Sequence, residues 1–246
     1  MKQNLFLDAA EEIIKKNNYL LEEKKKKNIS IKHFKVDDEN TKIMKRSKGD
    51  YYTIFYDNNI LLNKQKSLAN EVVNILKTLF KNYKRRGRTL IVGLGNSSIP
   101  SDAIGPNTIN KVIATNHFND FLTIPKVCLF VPEVTSKTGI SSYYLIKMVI
   151  ESLKPDTIIV IDSLVTSNHY KLNNCIEISD TGIIPGSALR AGKEISSKTF
   201  GIPVIAIGIP LLININNNLY TSPNIMEVLE ETSNILASSL NNLFLS

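Results

Sequence analysis

Cysteine and histidine are scarce in this chain of 246 residues, which contains two cysteines and three histidines. The histidines, His33, His117 and His169, are scattered and show no spacing typical of metal ligands. Cys128 and Cys175 each lie in an apolar run, which favours buried free thiols over a disulfide or a reactive thiol. We therefore expect no metal and no other cofactor. The alternative is a metal bound by Asp102 together with other acids, for which the sequence defines no ligand set.

Long hydrophobic runs are also missing. No apolar stretch approaches the roughly 18 residues of a membrane-spanning helix. The first residues soon meet acids and lysines, so a signal-peptide core is not recognisable. Hydrophobic residues make up 43% of the chain, enough for a substantial core. We expect a soluble, cytoplasmic protein with one α/β domain and no membrane partner.

Several catalytic signatures are absent as well. The chain has no G-K-[ST], which excludes a P-loop, and no H-E-x-x-H zinc motif. It has no G-x-S-x-G of the serine hydrolases. The dinucleotide fingerprint fails, because Gly93 and Gly95 are followed by Ser98 where the third glycine is required. Nucleotide-dependent, serine and zinc chemistry are thus disfavoured.

The positive charge is uneven. The net charge is +7, and much of the excess lies in "KKNNYLLEEKKKKNISIKHFK" and "KRRGR". Such runs usually form a solvated face, and attraction to an acidic partner is the alternative. Because no nucleic-acid-binding motif accompanies the charge, we expect no direct nucleic-acid partner.

The apolar pattern predicts an α/β fold with a largely parallel central sheet and helices on both faces. Four β-branched runs alternate with helical segments near 106–116 and 141–153: "TLIVGLG", "VCLFVP", "TIIVID" and "PVIAIGIP". "CIEISD" adds a further strand. The remaining predictions are a charged helix over 8–27, strands over 29–36 and 51–56, an amphipathic helix over 67–83, a polar connection "LININNNLYTSP" and a final helix over 223–244.

Two aspartates follow predicted strands. Asp102 lies in "LIVGLGNSSIPSDAIGP", after the strand at 89–93, and Asp162 directly follows "TIIVI". In open α/β sheets functional groups gather beyond the carboxyl ends of the strands, so the two carboxylates could share one crevice. Such a pair holds one proton, and one member then serves as base toward water and the other as acid. The alternative is that each aspartate caps a turn or helix.

A third acid lies in "ISDTGIIPGS". Asp180-Thr181-Gly182 matches the tripeptide of pepsin-like and retroviral proteases, but those enzymes use two copies in an all-β setting. We therefore favour a turn built on the aspartate side chain, which could still line the crevice.

Four motifs resemble the bacterial spore germination protease family: "VGLGNSSIPSDAIGP", "TGISS…KPDTIIVIDSL", "IEISDTGIIPGSA" and "SSKTFGIPVIAIGIP". They occur in the family's order. "GDYYTIFYDNN", the 67–83 helix and "NNLYTSPNIMEVLEETSNILASSLN" extend the resemblance more weakly outward, so that it covers most of the chain.

The resemblance implies an atypical aspartic endopeptidase that degrades small acid-soluble, DNA-coating proteins in the spore core during germination. Family members are zymogens and tetramers, and their phosphorylase/hydrolase-like α/β fold is similar to that of hydrogenase maturation proteases. The two catalytic aspartates of the family carry over to Asp102 and Asp162. Residues of the same motifs are expected to contact the substrate: Gly95, Asn96, Gly139, Asp180, Thr181, Gly182, Gly186 and Ser187.

The resemblance also suggests a domain organisation. We expect a propeptide within residues 1–15 and a single peptidase domain over 16–246, with core motifs at 89–210 and the C-terminal helix at 223–244.

The chain departs from the family near the predicted site. "LININNN" replaces a longer segment, Ile184-Pro185-Gly186-Ser187-Ala188 replaces His-Pro-Gly-Ser-Gly, and Ser163 begins a changed stretch after the second aspartate. Two other hypotheses therefore stay open. One is a catalytically impaired binder of spore proteins, and the other is a hydrogenase-maturation-type peptidase, whose Glu and His metal ligands have no counterpart that we can place.

Overall fold

The computed structural model describes residues 21–26, 28–44, 46–56, 65–82, 87–118, 124–184 and 193–245. The expected propeptide (1–15), Gly186, Ser187 and most of the predicted helix at 8–27 lie outside these residues. The division into a propeptide and one peptidase domain therefore stays a prediction.

The described residues form a nine-stranded sheet in the order β1-β2-β3-β7-β8-β6-β4-β5, with β9 paired to β8. The strands are β1 (Glu22–Lys26), β2 (Ile29–Val36), β3 (Gly49–Tyr56), β4 (Arg88–Gly93), β5 (Lys126–Phe130), β6 (Thr157–Thr166), β7 (Cys175–Ser179), β8 (Val204–Ile215) and β9 (Asn218–Tyr220).

The centre of the sheet is parallel. β4 pairs with β5 and β6, and β6 pairs with β8, all in parallel. β7, β3, β2 and β1 then extend the sheet with antiparallel pairs. The predicted α/β class and parallel centre are confirmed. The antiparallel half combines β1 to β3, which precede the alternating strand–helix segment, with β7, which lies within it.

Helices cover both faces of the sheet, as predicted. They are α1 (Thr41–Met44), α2 (Gln65–Leu79), α3 (Ile104–Ile109), α4 (Thr135–Thr138), α5 (Ser142–Leu153), α6 (Ser197–Phe200) and α7 (Ile225–Leu245), with short 3-10 helices at Phe80–Asn82 and Pro100–Asp102. α2, α3 and α7 pack on the face that carries Ile159 and Ile207. α5 and α6 pack on the face that carries Val160 and Ala206. We call these the α7 face and the α5 face.

The long helices agree with their sequence patterns. α2, α5 and α7 match the predicted segments at 67–83, 141–153 and 223–244 within a few residues. The segment at 106–116 contains only the short α3 (Ile104–Ile109). Among the described helices, none is long and apolar enough to cross a membrane. Cys128 and Cys175 are buried free thiols, as expected.

The charged helix predicted for 8–27 is wrong at residues 22–26, which the structure describes as a strand. Glu22–Lys26 form the edge strand β1, which pairs with β2 in antiparallel register. Lys26 also donates to Glu71 of α2, with Nζ 2.8 Å from Oε1. These tertiary contacts override the local preference of a Glu/Lys run for helix.

The polar connection predicted from "LININNNLYTSP" is also wrong. β8 continues to Ile215, and β9 turns back to pair with it. Asn216 and Asn217 adopt φ of 49° and 66° at the tip. Two successive positive φ values are the signature of a tight hairpin turn, and asparagine tolerates them well.

Candidate active site

Asp102 stands at the carboxyl edge of the sheet, where β4 ends. Leu94 still donates its N–H to Ile161 O of β6 at 2.8 Å. The chain then leaves the sheet through Gly95 and returns in the 3-10 helix Pro100–Asp102. Ala103 and Ile104 follow and are buried in the α7-face core, which anchors the returning segment.

Glycines make this return tight enough to hold Asp102. Gly95 has φ of 114°, and a Cβ there would lie 1.8 Å from the backbone oxygen of Asp102. Gly93 and Gly105 face each other so closely that a Cβ on Gly93 would lie 2.5 Å from Gly105 O. Asn96 donates its backbone N–H to Asp102 Oδ2 at 2.9 Å. Gly95 and Asn96 therefore position the aspartate itself, and their expected contact with substrate stays a prediction.

Asp162 lies within β6 rather than beyond its end, which corrects the sequence-based placement. Pairing between β4 and β6 stops at Gly93 and Ile161, so Asp162 is the first residue past the end of β4. β6 continues to Thr166 beside β8, and Asp162 lies opposite Gly208. The alternation of side chains puts Asp162 on the α5 face with Val160 and Leu164.

Burial and mutual charge set the protonation of the two aspartates. Burial raises the pKa of Asp162 to about 8, the charge of Asp102 adds to this rise, and the N–H of Ser163 at 2.9 Å opposes it. Burial also raises the pKa of Asp102, while the hydrogen bond from Asn96 lowers it. Near neutral pH, Asp162 therefore keeps its proton and Asp102 is the more readily ionised partner.

Glu133 is a third carboxylate at this edge, and the sequence analysis missed it. It follows β5, has φ of 58°, and accepts hydrogen bonds from Ser97 N and Lys137 Nζ at 3.4 and 3.2 Å. Lys137 in turn donates to Ser97 Oγ at 2.8 Å. The charge of Glu133 contributes to the raised pKa of Asp102. Its place after "VCLFVP" is the same strand-end signal that pointed to Asp102.

Asp180 lies away from the pair and holds a turn. Its Oδ1 accepts the N–H of Asp50 at 2.8 Å, which ties the turn after β7 to β3. The charges that act on Asp180 belong to Asp50 and Lys35, and burial raises its pKa. This geometry agrees with the interpretation of a turn built on the aspartate side chain.

Thr181 and Gly182 border a cavity of about 200 Å³, which we call the β7–β8 cavity. Thr181 Oγ1 lies 3.2 Å from Ser179 Oγ, and Gly182 has φ of 86°. Gly208, the register partner of Asp162, lines the same cavity. The turn and Gly208 therefore border one cavity, whose lining contains neither Asp102 nor Asp162.

Gly139 has a local reason to be glycine. It ends α4 with φ of 71°, a left-handed conformation that is common directly after a helix. A Cβ there would meet no atom within 4 Å. Its expected contact with substrate stays a prediction, as do those of Gly186 and Ser187, which lie outside the described residues.

The described part of the chain contains no group of three or more His, Cys, Asp or Glu side chains that could hold a metal ion.

The sequence model of the germination protease family matches residues 2–234 of the chain. The chain belongs to the germination protease family. The germination protease of Oceanobacillus iheyensis is 35% identical over 204 residues, which cover 76% of this chain and 54% of that protein. The germination protease of Caldanaerobacter subterraneus is 33% identical, over 73% of this chain and 58% of that protein.

The chain thus spans about half the length of the germination proteases that it matches. Among solved structures, a NiFe hydrogenase maturation protease from Thermococcus kodakarensis aligns with 68% of this chain and 99% of its own, at 20% identity and a TM-score of 0.40.

Proposed function

We propose that the chain is an endopeptidase that degrades small acid-soluble, DNA-coating spore proteins during germination, with water activated by Asp102 and Asp162. Membership of the germination protease family supports the peptidase activity. The observation that carries the mechanism is the buried carboxyl of Asp162, whose pKa is raised to about 8 with Asp102 contributing to the rise. Two carboxylates coupled in this way divide into an acid and a base.

In the proposed first step, ionised Asp102 removes a proton from water while the water oxygen bonds to the scissile carbonyl carbon. Asp162 donates its proton to the carbonyl oxygen, which gives a neutral tetrahedral intermediate. The hydrogen bond from Asn96 occupies Asp102 Oδ2, which leaves Oδ1 to accept the water proton.

In the second step the carbon–nitrogen bond breaks. The leaving nitrogen takes the proton from Asp102, and the intermediate returns a hydroxyl proton to Asp162 as the new carboxyl group forms. Asp102 ends ionised and Asp162 ends protonated, so the pair is ready for another turnover and no metal or covalent intermediate is needed.

The broader assignments rest on the family resemblance and belong to the same proposal. They are a zymogen with its propeptide within residues 1–15, a homotetramer, a location in the cytoplasm of the forespore and spore core, and substrate contacts from the residues predicted above. No nucleic-acid partner is proposed, because the substrate is the protein that coats the DNA.

The test is incubation of the purified chain with a small acid-soluble spore protein, followed by gel analysis and mass spectrometry of the fragments. Asp102→Asn and Asp162→Asn should slow cleavage by about 10²-fold or more. Asp156→Asn is the matched control, because Asp156 lies at the opposite end of β6 and accepts from Arg88 N at 2.7 Å. Equal cleavage by wild type and both site variants would refute the mechanism. Binding of the spore protein without cleavage would instead favour a catalytically impaired binder.

A further inference from the structure

We propose that Lys137 is a positioning residue for the reaction. Through Ser97 and Glu133 it fixes the loop over residues 95–99, and that loop holds the carboxylate of Asp102. This inference rests on the proposed function, since Asp102 is the base of the proposed pair. It goes beyond that function because it gives a role to a side chain outside the pair.

The 95–99 loop holds Asp102 at two points. Asn96 donates its backbone N–H to Asp102 Oδ2 at 2.9 Å, and Ile99 O accepts the N–H of Asp102 at 2.8 Å. Within the loop, Asn96 Oδ1 accepts the N–H of Ser98 at 3.0 Å. A displacement of the loop would therefore move the hydrogen-bond partners of the reactive carboxylate.

A second segment holds this loop from the side of β5. Lys137 Nζ donates to Ser97 Oγ at 2.8 Å and to Glu133 Oε2 at 3.2 Å. The backbone N–H of Ser97 donates to the same Glu133 oxygen at 3.4 Å. The ammonium thus connects the side chain of the loop to the carboxylate that receives its main chain. We call these three residues the Lys137 clamp.

The local structure brings the clamp together. Lys137 lies on α4, four residues after Glu133, a spacing that lets two side chains meet. Glu133 has φ of 58°, a left-handed conformation that is uncommon for residues other than glycine. Such conformations persist where the surrounding structure holds them, and they cluster at functional sites. The hydrogen bonds from Ser97 and Lys137 provide that hold on the Glu133 carboxylate.

Lys137 also compensates a charge beside the pair. The titratable groups that bear on Asp102 are Asp162 of β6 and Glu133 after β5, and both are carboxylates. The charge of Glu133 contributes to the raised pKa of Asp102, and hydrogen bonds from Ser97 and Lys137 lower the pKa of Glu133 itself. Without the ammonium, the uncompensated charge of Glu133 should raise the pKa of Asp102 further.

The test measures the pH dependence of kcat and KM for a small acid-soluble spore protein. Lys137→Met should lower kcat about tenfold with less than about a threefold change in KM, because the base is displaced while the substrate contacts remain. The acidic limb of the profile should move to higher pH. Glu133→Gln breaks the same ion pair from the other side and should move that limb to lower pH. A merely structural ion pair would give shifts of the same sign.

Two control variants accompany this test. Lys137→Arg keeps a cation that can donate to both partners and should retain kcat within about threefold of wild type. Lys147→Met removes a lysine of α5 that lies 3.8 Å from Glu151, also four residues away, and should leave kcat and the acidic limb unchanged. An unchanged kcat in Lys137→Met, a loss confined to KM, or a limb that moves to lower pH would overturn the role of Lys137.

Amide hydrogen exchange, followed by NMR, tests the clamp without any need for activity. In Lys137→Met the N–H of Asn96 should exchange about threefold faster or more, while that of Ile159 in the centre of β6 stays unchanged. Unchanged exchange at Asn96 would overturn the clamp. Faster exchange at Asn96, together with a wild type that does not cleave the spore protein, would refute the proposed catalysis and retain the clamp.

Ser97→Ala carries the test where Lys137→Met fails to fold, as judged by thermal unfolding. It removes the hydroxyl that accepts from Lys137 and leaves the charges of Lys137 and Glu133 in place. It should therefore lower kcat and speed exchange at Asn96, with a smaller shift of the acidic limb than in Lys137→Met. Wild-type kcat and exchange in Ser97→Ala would contradict the proposal.

Discussion

Among the described residues, helices bury more apolar side chains on the α7 face of the sheet than on the α5 face. On the α7 face, α2 and α7 bury long apolar stripes, including Leu68, Leu76, Leu236 and Leu240 at essentially zero exposure. On the α5 face, α5 buries only Ile146 among its described residues. Asp162 and the β7–β8 cavity lie on that thinner side. Among the described residues, the α7 face therefore provides most of the helix packing.

This division matches the demands of each role. A tightly packed core stabilises the fold because apolar surface is removed from water and few voids remain. A site that takes up a polypeptide needs open space beside its reactive groups. The strands of the sheet lie between the two helix layers and contribute residues to both faces. Alternate residues of β6 face the core under α7 and the α5 face, where Asp162 lies.

The largest expected effect separates activity from stability on the α5 face. Asp162→Asn should lower kcat by about 10²- to 10⁴-fold, because it removes the proton donor of the pair. The free energy of unfolding should stay unchanged or rise, because a buried group with a raised pKa is replaced by a neutral amide. Peptide hydrolysis and urea unfolding measure the two quantities. Unfolding of this variant under native conditions would show that Asp162 is structural.

The second prediction concerns the α7 face. Leu236→Ala should lower the free energy of unfolding by about 2–5 kcal/mol, since the side chain is fully buried in the core. Met148→Ala on α5 removes a side chain that is 61% exposed and should cost less than about 0.5 kcal/mol. Urea denaturation of both variants provides the comparison. Similar losses would contradict the difference in depth between the two faces.

The third prediction is a pH dependence of stability. The pKa of Asp162 is about 8 in the folded protein, above its value of about 4 in an unfolded chain. Between these values the folded state binds more protons than the unfolded state, so the contribution of Asp162 to stability is fully present below pH 4 and is lost as pH rises toward 8. Unfolding free energies of wild type and Asp162→Asn, measured from pH 5 to 8, should diverge in favour of the variant. Parallel curves would contradict the raised pKa.

The smallest expected effect lies at the rim of the site. Glu133→Gln removes a charge that raises the pKa of Asp102, so the acidic limb of the pH–rate profile should move to lower pH by less than about one unit. Its ion pair with Lys137 is partly exposed and should contribute about 0.2–1 kcal/mol to stability. The pH dependence of kcat/KM tests the shift. A limb that moves to higher pH would contradict the electrostatic role of Glu133.

The parts of the site that the sequence predicted are those that follow from local pattern. Apolar runs located the central strands, and the strand-end rule selected Asp102 and Asp162. The rule placed Asp162 beyond its strand, because the sequence does not show that β6 extends further along the sheet than β4. Glu133 follows β5 and satisfies the same rule.

The parts that the sequence did not predict depend on long-range contacts. The β7–β8 cavity combines residues of β3, β6, β7 and β8, which are far apart in the chain. The strand at Glu22–Lys26 exists because β2 provides a partner and Glu71 pairs with Lys26. Neither arrangement leaves a periodic signal in its own segment.

The close approach of Gly93, Gly95 and Asp102 has a consequence for the sequences that this fold can adopt. A β-carbon at either glycine would overlap backbone atoms of the segment that carries the aspartate. These two positions can therefore accept only the residue without a side chain. The position of the Asp102 carboxyl therefore depends on the absence of a side chain at Gly93 and Gly95.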